Sequence, residues 1–285
     1  MSIDITGATG HLGRLVIADL LAAGVPADEI TAVVRSKEKA AGLEGVRLHL
    51  GDYDQPETFA GAFRPEDRVL LISGTDVGRR APQHAVVIDA AKAAGVAQLA
   101  YTGVFGGPAA DFLLASDHRA TEQLILDSGL PYTFLRNNWY SEGPAYTGDL
   151  AGIVERGAIT TSVTAGSRIA TASRADYAAA AAVVLSGEGH LNKAYELSGD
   201  VAWTMEEFAE EVSRQTGKKV VHNSLSPAEH KALLTGVGVP EAFAEVLVDV
   251  DAAISRGKLA GTPGDLSRLI GRPTTPIADS IAAAL

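Results

Sequence analysis

Three glycines at the spacing G-x-x-G-x-x-G, in Gly7-Ala8-Thr9-Gly10-His11-Leu12-Gly13, follow the apolar run Ile3 to Thr6 and open a segment of helical periodicity, Leu12 to Ala23. A strand that turns at once into a helix needs a sharp bend, open backbone that a ligand can approach, and close helix–strand contact. Glycine supplies all three. The same turn leaves the free N–H groups and partial positive charge of a helix N-terminus facing outward, which suits a phosphate. Glycines also make plain tight turns, so their meaning depends on the rest of the chain.

Beyond the turn, strand-like and helical segments alternate regularly. Apolar runs recur at Ile30 to Val34, Val46 to Leu50, Val69 to Ser73, Gln98 to Thr102 and Tyr132 to Leu135. Helical segments lie between them, among them Ala81 to Ala94 and Asp117 to Ser128. Such alternation predicts parallel strands joined by right-handed crossovers, and nearly continuous apolar strands suit a sheet covered on both faces. The expectation is a doubly wound α/β sheet in residues 1–140. After Arg136 the rhythm breaks: Gly143-Pro144 marks a turn, Arg174 to Leu185 reads as an alanine-rich helix, and Lys193 to Ser198 as a strand. From Thr204 the signals are mainly helical, with capping-box spacing at Thr204 to Glu207 and at Ser226 to Glu229. Residues 141–285 therefore read as a mixed region with a smaller helical lobe that shares the core and is not an independent domain.

Composition removes several functions. With no cysteine in 285 residues, disulfides, thiolate catalysis and cysteine-bound metals are out. A formal charge of −11 opposes nucleic-acid binding by bulk attraction, so an anionic ligand has to be held by local groups. No apolar run is long enough to cross a bilayer, and Asp4 interrupts any basic-then-apolar leader. The expectation is a soluble cytoplasmic protein without a membrane partner.

The end of the second strand carries the next signal. A site for NADH usually places a carboxylate there for the ribose hydroxyls, whereas an arginine suits the 2′-phosphate of NADPH. Here Ile30 to Val34 runs into Arg35, followed by Ser36, Lys37 and Lys39. Arg35 offers a planar fork of donors to a phosphate; the other reading is a solvated basic loop. Asp52, after the third strand, can accept from an adenine amino group with Tyr53 beside the ring, or can simply serve a turn.

Acid–base chemistry is sparse. A dehydrogenase that reduces ketones with a tyrosine–lysine pair needs lysine four residues after tyrosine. Glu57, Phe105, Arg136, Pro144, Leu150, Ala181 and Gly199 stand there instead. The histidines show no metal-ligand spacing, and neither a G-x-S-x-G elbow nor a Walker lysine is present. Hydride delivery to an acceptor that needs little acid help remains, and quinones and conjugated cationic dyes are such acceptors.

Several segments together, Gly7 to Gly13, Arg79-Arg80-Ala81-Pro82-Gln83-His84, Ala90 to Val96, Tyr101-Thr102, Leu135 to Glu142, Arg174 to Ala181 and Leu269 to Thr274, resemble the NmrA-like atypical short-chain dehydrogenases over nearly the whole chain. Within that family the chain looks most like bacterial NADPH-dependent quinone oxidoreductases, with triphenylmethane dye reductases close behind. The resemblance implies a Rossmann-like fold and NADPH contacts from Gly7, Thr9, Gly10, His11, Leu12, Gly13 and Arg35. It further implies that Ser73, Gly74 and Thr75 line the cofactor's path, with Thr102 and Asn137 near the nicotinamide. Tyr101, Phe105, Asn138, Trp139 and Tyr140 are then expected to border a flat acceptor, although Trp139 and Tyr140 also suit plain packing between lobes. Gly103 stands where relatives with quinone activity carry serine. His118 stands where many relatives carry lysine, so His118 and Tyr140 are the candidate proton donors, with water as the third source. The expected activity is NADPH-dependent reduction of a quinone or similar aromatic. The alternatives are a dedicated dye or natural-product reductase and a non-catalytic dinucleotide sensor, and a homodimer is compatible with each.

Overall fold

The computed structural model describes residues 2–143 and 145–285, so Pro144 of the Gly143-Pro144 turn lies outside the described residues. In chain order the first half runs β1 (Ile3–Ile5), α1 (His11–Ala22), β2 (Ile30–Val34), β3 (Arg47–Leu50), β4 (Arg68–Leu71), α2 (Arg80–Ala94), β5 (Gln98–Val104), α3 (Leu113–Ser128) and β6 (Tyr132–Asn137). The second half runs α4 (Leu150–Arg156), β7 (Ala158–Thr161), β8 (Arg168–Ile169), α5 (Arg174–Ser186), β9 (Lys193–Leu197), β10 (Trp203–Thr204), α6 (Met205–Thr216), β11 (Val221–Ser224), α7 (Pro227–Gly236), α8 (Glu241–Ser255), α9 (Asp265–Ile270) and α10 (Ile277–Ala284).

Seven strands form one parallel sheet in the order β3-β2-β1-β4-β5-β6-β9. The order reverses between β1 and β4, the place where a doubly wound sheet opens a crevice at the carboxyl ends of its strands. Side-chain alternation along the strands sends residues to two apolar layers. Ile5, Ala32, Leu70, Ala100 and Leu135 join α1 and α5 on one face, while Val33, Leu71, Tyr101 and Phe134 join α2 and α3 on the other. The edge strand β3 departs from the expectation of double cover: Leu48 is 43% and Leu50 46% exposed, at the end of the sheet where β3 pairs with β2 alone among the described residues.

Residues beyond 140 return to the sheet through α5 and β9 before building the lobe. Ser173 caps α5 by accepting from the Asp176 N–H at 3.1 Å, and Thr204 and Ser226 complete reciprocal capping boxes on α6 and α7. The lobe has an apolar cluster of its own, centred on Trp203, Phe208, Ile153 and Ile254. That cluster also takes in Val104 and Phe112 from the first half, so lobe and sheet share buried surface. Among the described residues no helix is long and apolar enough to cross a membrane.

Candidate active site

A cleft of about 650 Å³ runs along the carboxyl ends of β1 to β6, within the range of small-molecule sites. The glycine turn forms one end. Gly7 has φ +61, a left-handed conformation that side chains disfavour. A Cβ on Gly13 would lie 2.6 Å from the Gly7 carbonyl oxygen and 2.7 Å from Ala8 Cα, so α1 approaches the turn as closely as glycine permits. Thr9, Gly10, His11 and Leu12 complete this wall, with Gly10 and His11 exposed at the start of α1.

Arg35 emerges exposed from the end of β2 onto the same wall, beside Ser36 and Lys39. Among the described residues no carboxylate pairs with it, whereas Ser36 donates to Glu38 at 2.6 Å. Asp52 also reaches the wall, but its carboxylate accepts from the Asp54 N–H at 3.1 Å and so serves the local turn. Tyr53 lies beside it, anchored by its hydroxyl 2.5 Å from Thr6 Oγ1 and 3.0 Å from the Ile72 carbonyl.

Beyond the β1/β4 switch the wall passes to Ser73, Gly74, Thr75 and Thr102. The Thr102 hydroxyl accepts from the Ser73 N–H at 2.9 Å, tying β5 to the loop after β4. Asn137, opposite Val104 at the end of β6, is buried, and its Oδ1 has no partner while its Nδ2 faces the Tyr140 hydroxyl at 3.4 Å. An orphaned buried acceptor lining the cleft is what a primary amide such as the nicotinamide carboxamide would satisfy. The free fork of Arg35, the helix N-terminus behind the glycine turn and this orphaned oxygen together fit the group that the fold implies.

The acceptor end differs from the expectation at three positions. Tyr101 is fully buried and lies off the cleft: alternation along the central strand β5 turns it beneath α2 and α3, where its ring meets His84 edge-on at 5.5 Å. Phe105 is off the wall as well, because its ring covers Gly261, whose Cβ would stand 2.8 Å from it, at the border of the lobe cluster. His118 does line the cleft, but α3 starts at Leu113, so the histidine is one turn inside the helix and buried.

Its chemistry is set by that placement. Burial, with the Arg80 guanidinium and then His84 nearby, holds His118 down at about 3. An Arg80 nitrogen lies 3.5 Å from Nε2 and can only donate, so Nε2 keeps its lone pair and Nδ1–H faces the Tyr101 hydroxyl at 2.8 Å. Near neutral pH a neutral ring in this tautomer turns its N–H to Tyr101 and a lone pair to Arg80, an arrangement that weighs against His118 as the proton donor. Tyr140, also on the wall, has its phenol pushed above the usual tyrosine range by burial, so it keeps its proton and is a weak acid. Asn138 lines the cleft with its amide anchored, donating to the Leu259 carbonyl at 3.0 Å and accepting from the Trp139 N–H at 2.8 Å. Trp139 and Tyr140 line it as rings, the latter edge-on to Tyr177 at 5.3 Å and beneath the Arg174 guanidinium at 5.0 Å.

Sequence reasoning gave no role to Arg80, Gln83, Leu114, Arg174 or Asp54, all on the wall. The spacing of Arg80, Gln83 and His84, at i, i+3 and i+4, places three polar side chains on one helical face and was the available signal.

The NAD(P)H-binding family model matches residues 7–187. The chain belongs to that family. An NmrA-like family domain-containing oxidoreductase of Aspergillus flavus, 30% identical over 97% of the chain and 92% of its own length, marks the NmrA-like branch of it. Quinone oxidoreductase 2 of Escherichia coli (strain K12) is 45% identical over 98% of this chain and 97% of that protein. The E. coli NADPH-dependent quinone oxidoreductase complexed with NADPH superposes with a TM-score of 0.94 and 44% identity, covering 99% of each chain. The Citrobacter sp. triphenylmethane reductase complexed with NADP(H) gives 0.93 and 44%, covering the whole of both. The family's Rossmann-like doubly wound sheet is thus the fold seen here.

Proposed function

We propose that this protein is an NADPH-dependent reductase that passes hydride to a quinone or a similarly delocalised aromatic acceptor. The observation that carries the reading is Arg35, an unpaired exposed cation where an NADH site would present a carboxylate. The relatives named for NADPH and for quinones or triphenylmethane dyes, each matched over nearly the full chain, support the same reading.

When bound, the nicotinamide supplies the hydride. The chain's own part is to bind, orient and exclude water. The turn Gly7 to Gly13 and the first N–H groups of α1 hold the pyrophosphate. Arg35, with Ser36 and Lys39 beside it, meets the 2′-phosphate, and Asn137 Oδ1 accepts from the carboxamide. Trp139 and Tyr140 give the acceptor a flat surface against the cofactor, and proximity supplies most of the rate. With His118 neutral and the Tyr140 phenol a weak acid, water protonates the reduced acceptor.

The proposal includes a cytoplasmic location with no membrane or nucleic-acid partner. The cleft lies within one chain, so a homodimer is compatible with it but not required.

Arg35→Ala tests the reading. Loss of charge-assisted hydrogen bonds at about 1.5–3 kcal/mol predicts NADPH binding weaker by roughly ten- to a hundredfold. NADH binding should be nearly unchanged. Equal losses for both cofactors would defeat the 2′-phosphate role, and purified protein that oxidises NADPH with no quinone or dye would defeat the activity.

A further inference from the structure

The segment Arg79-Arg80-Ala81-Pro82-Gln83-His84 opens α2, and its polar side chains converge on the loop after β4. The Arg80 Nε donates to the Gly74 carbonyl at 2.7 Å, while the Gly74 N–H donates to His84 Nε2 at 2.9 Å. Gln83 Nε2 donates to Asp76 at 3.1 Å and also reaches the Asp54 carboxylate at 3.2 Å, joining the loops after β3 and β4. His84 is fully buried and accepts at Nε2, so Nδ1 carries the proton and donates to Thr121 Oγ1 at 2.9 Å. The Thr121 hydroxyl passes the chain on to the Asp117 carbonyl at 2.9 Å. The Gly74 carbonyl also accepts from the Ser73 hydroxyl at 3.3 Å.

These contacts fix two peptide planes. Among the described residues no peptide bond is cis, so the N–H and C=O of each unit point in opposite directions. With the Gly74 N–H turned toward His84, the Ser73 carbonyl points away from α2. With the Gly74 carbonyl turned toward Arg80, the Thr75 N–H points away as well. Neither Ser73 C=O nor Thr75 N–H has a partner among the described residues, although Ser73, Gly74 and Thr75 all line the cleft. Gly74 packs closely here, since a Cβ would lie 3.3 Å from Gln83 Oε1 and that side chain would have to give by a few tenths of an ångström.

We propose that Arg80, Gln83 and His84 are positioning residues for the cofactor, presenting the Ser73 carbonyl and the Thr75 N–H as a fixed acceptor–donor pair on the cleft wall. A ribose hydroxyl can donate to the first, and a ribose or phosphate oxygen can accept from the second. The inference rests on the reading of the cleft as an NADPH site.

The experiment is direct NADPH titration by fluorescence, independent of turnover, on wild type, His84→Leu and His84→Gln, with melting temperatures measured alongside. His84→Leu removes the acceptor for the Gly74 N–H and should weaken NADPH binding about tenfold or more. His84→Gln places a carbonyl oxygen near Nε2 and should return binding to within about threefold of wild type. A folded His84→Leu that binds NADPH within about twofold of wild type overturns the proposal, even if it melts lower. Should His84→Leu not fold, amide exchange at Thr75 in the wild-type protein decides instead. Fast exchange alone with protection on adding NADPH supports the proposal, and a Thr75 amide indifferent to NADPH overturns it. Failure of the wild type to bind NADPH at all overturns the reading of the site and the inference with it, which separates that failure from the clamp's own.

Discussion

Replacing Gly13 with alanine places a methyl carbon 2.6 Å from the Gly7 carbonyl oxygen and 2.7 Å from Ala8 Cα. Ordinary carbon contacts begin near about 3.5 Å, so the helix has to withdraw by roughly 1 Å from the turn. Both opposing atoms are backbone, and no rotamer can relieve the overlap. Overpacking of this kind costs about 1–3 kcal/mol of stability. The same displacement carries the first N–H groups of α1 away from the phosphates. Charge-assisted bonds are short, so losing one at about 1.5–3 kcal/mol weakens NADPH roughly ten- to a hundredfold. Gly24→Ala is the control: Gly24 has φ +88 with nothing within 4 Å of its Cβ, so only left-handed strain of about 1–2 kcal/mol applies there. Melting curves of both variants, with NADPH dissociation constants from fluorescence titration, separate the two effects. Both variants should melt lower than wild type, and only Gly13→Ala should lose the cofactor. A folded Gly13→Ala that binds NADPH as wild type does would refute the argument that close packing of α1 on the turn builds the site.

Buried titratable groups give two further expected outcomes. Since His118 is held at about 3, quinone reduction measured from pH 6 to 8 should show no His118 titration, and His118→Gln should keep the wild-type profile; a break near neutrality that vanishes in His118→Gln would restore the histidine as an acid. Burial, with Thr31 opposing and Asp67 adding to it, raises Asp4 from 3.8 to about 6. The folded state therefore holds this proton more tightly, and the stability it contributes is full below the unfolded value and lost as pH rises through the folded one. Above that window the buried carboxylate costs on the order of 1–3 kcal/mol, so Asp4→Asn should raise the urea midpoint more at pH 8 than at pH 4. Equal shifts at both would contradict the burial argument.

What the sequence made legible was local or periodic. The glycine turn, the strand ending in Arg35 and the capping boxes each need only a few neighbouring residues, and the structure shows all three. The misplaced residues depend on pairing at long range. Whether Tyr101 faces the cleft or the layer beneath α3 is set by how β5 registers between β4 and β6, and no local pattern records it. Phe105 turns away because Gly261, distant in sequence, leaves a hollow for its ring. The bidentate pair of Arg136 with Glu122, extended to Glu196 at 2.9 Å, was equally hidden, since its members lie on α3, β6 and β9. Arg80 and His84 stand in a recognisable motif, yet their use depends on the position of α2 over Gly74.

The cleft draws its wall from loops after six strands, so no part of it survives when the sheet opens. A ligand of such a site binds only the intact molecule, and by mass action a hundredfold excess over its dissociation constant adds about 2.7 kcal/mol to the cost of unfolding. Unfolded molecules become roughly a hundredfold scarcer at that level, and proteases that wait for them are starved in proportion. With NADPH as that ligand, the lifetime of the protein in a cell rises and falls with the supply of the dinucleotide, a dependence that limited proteolysis with and without NADPH would register.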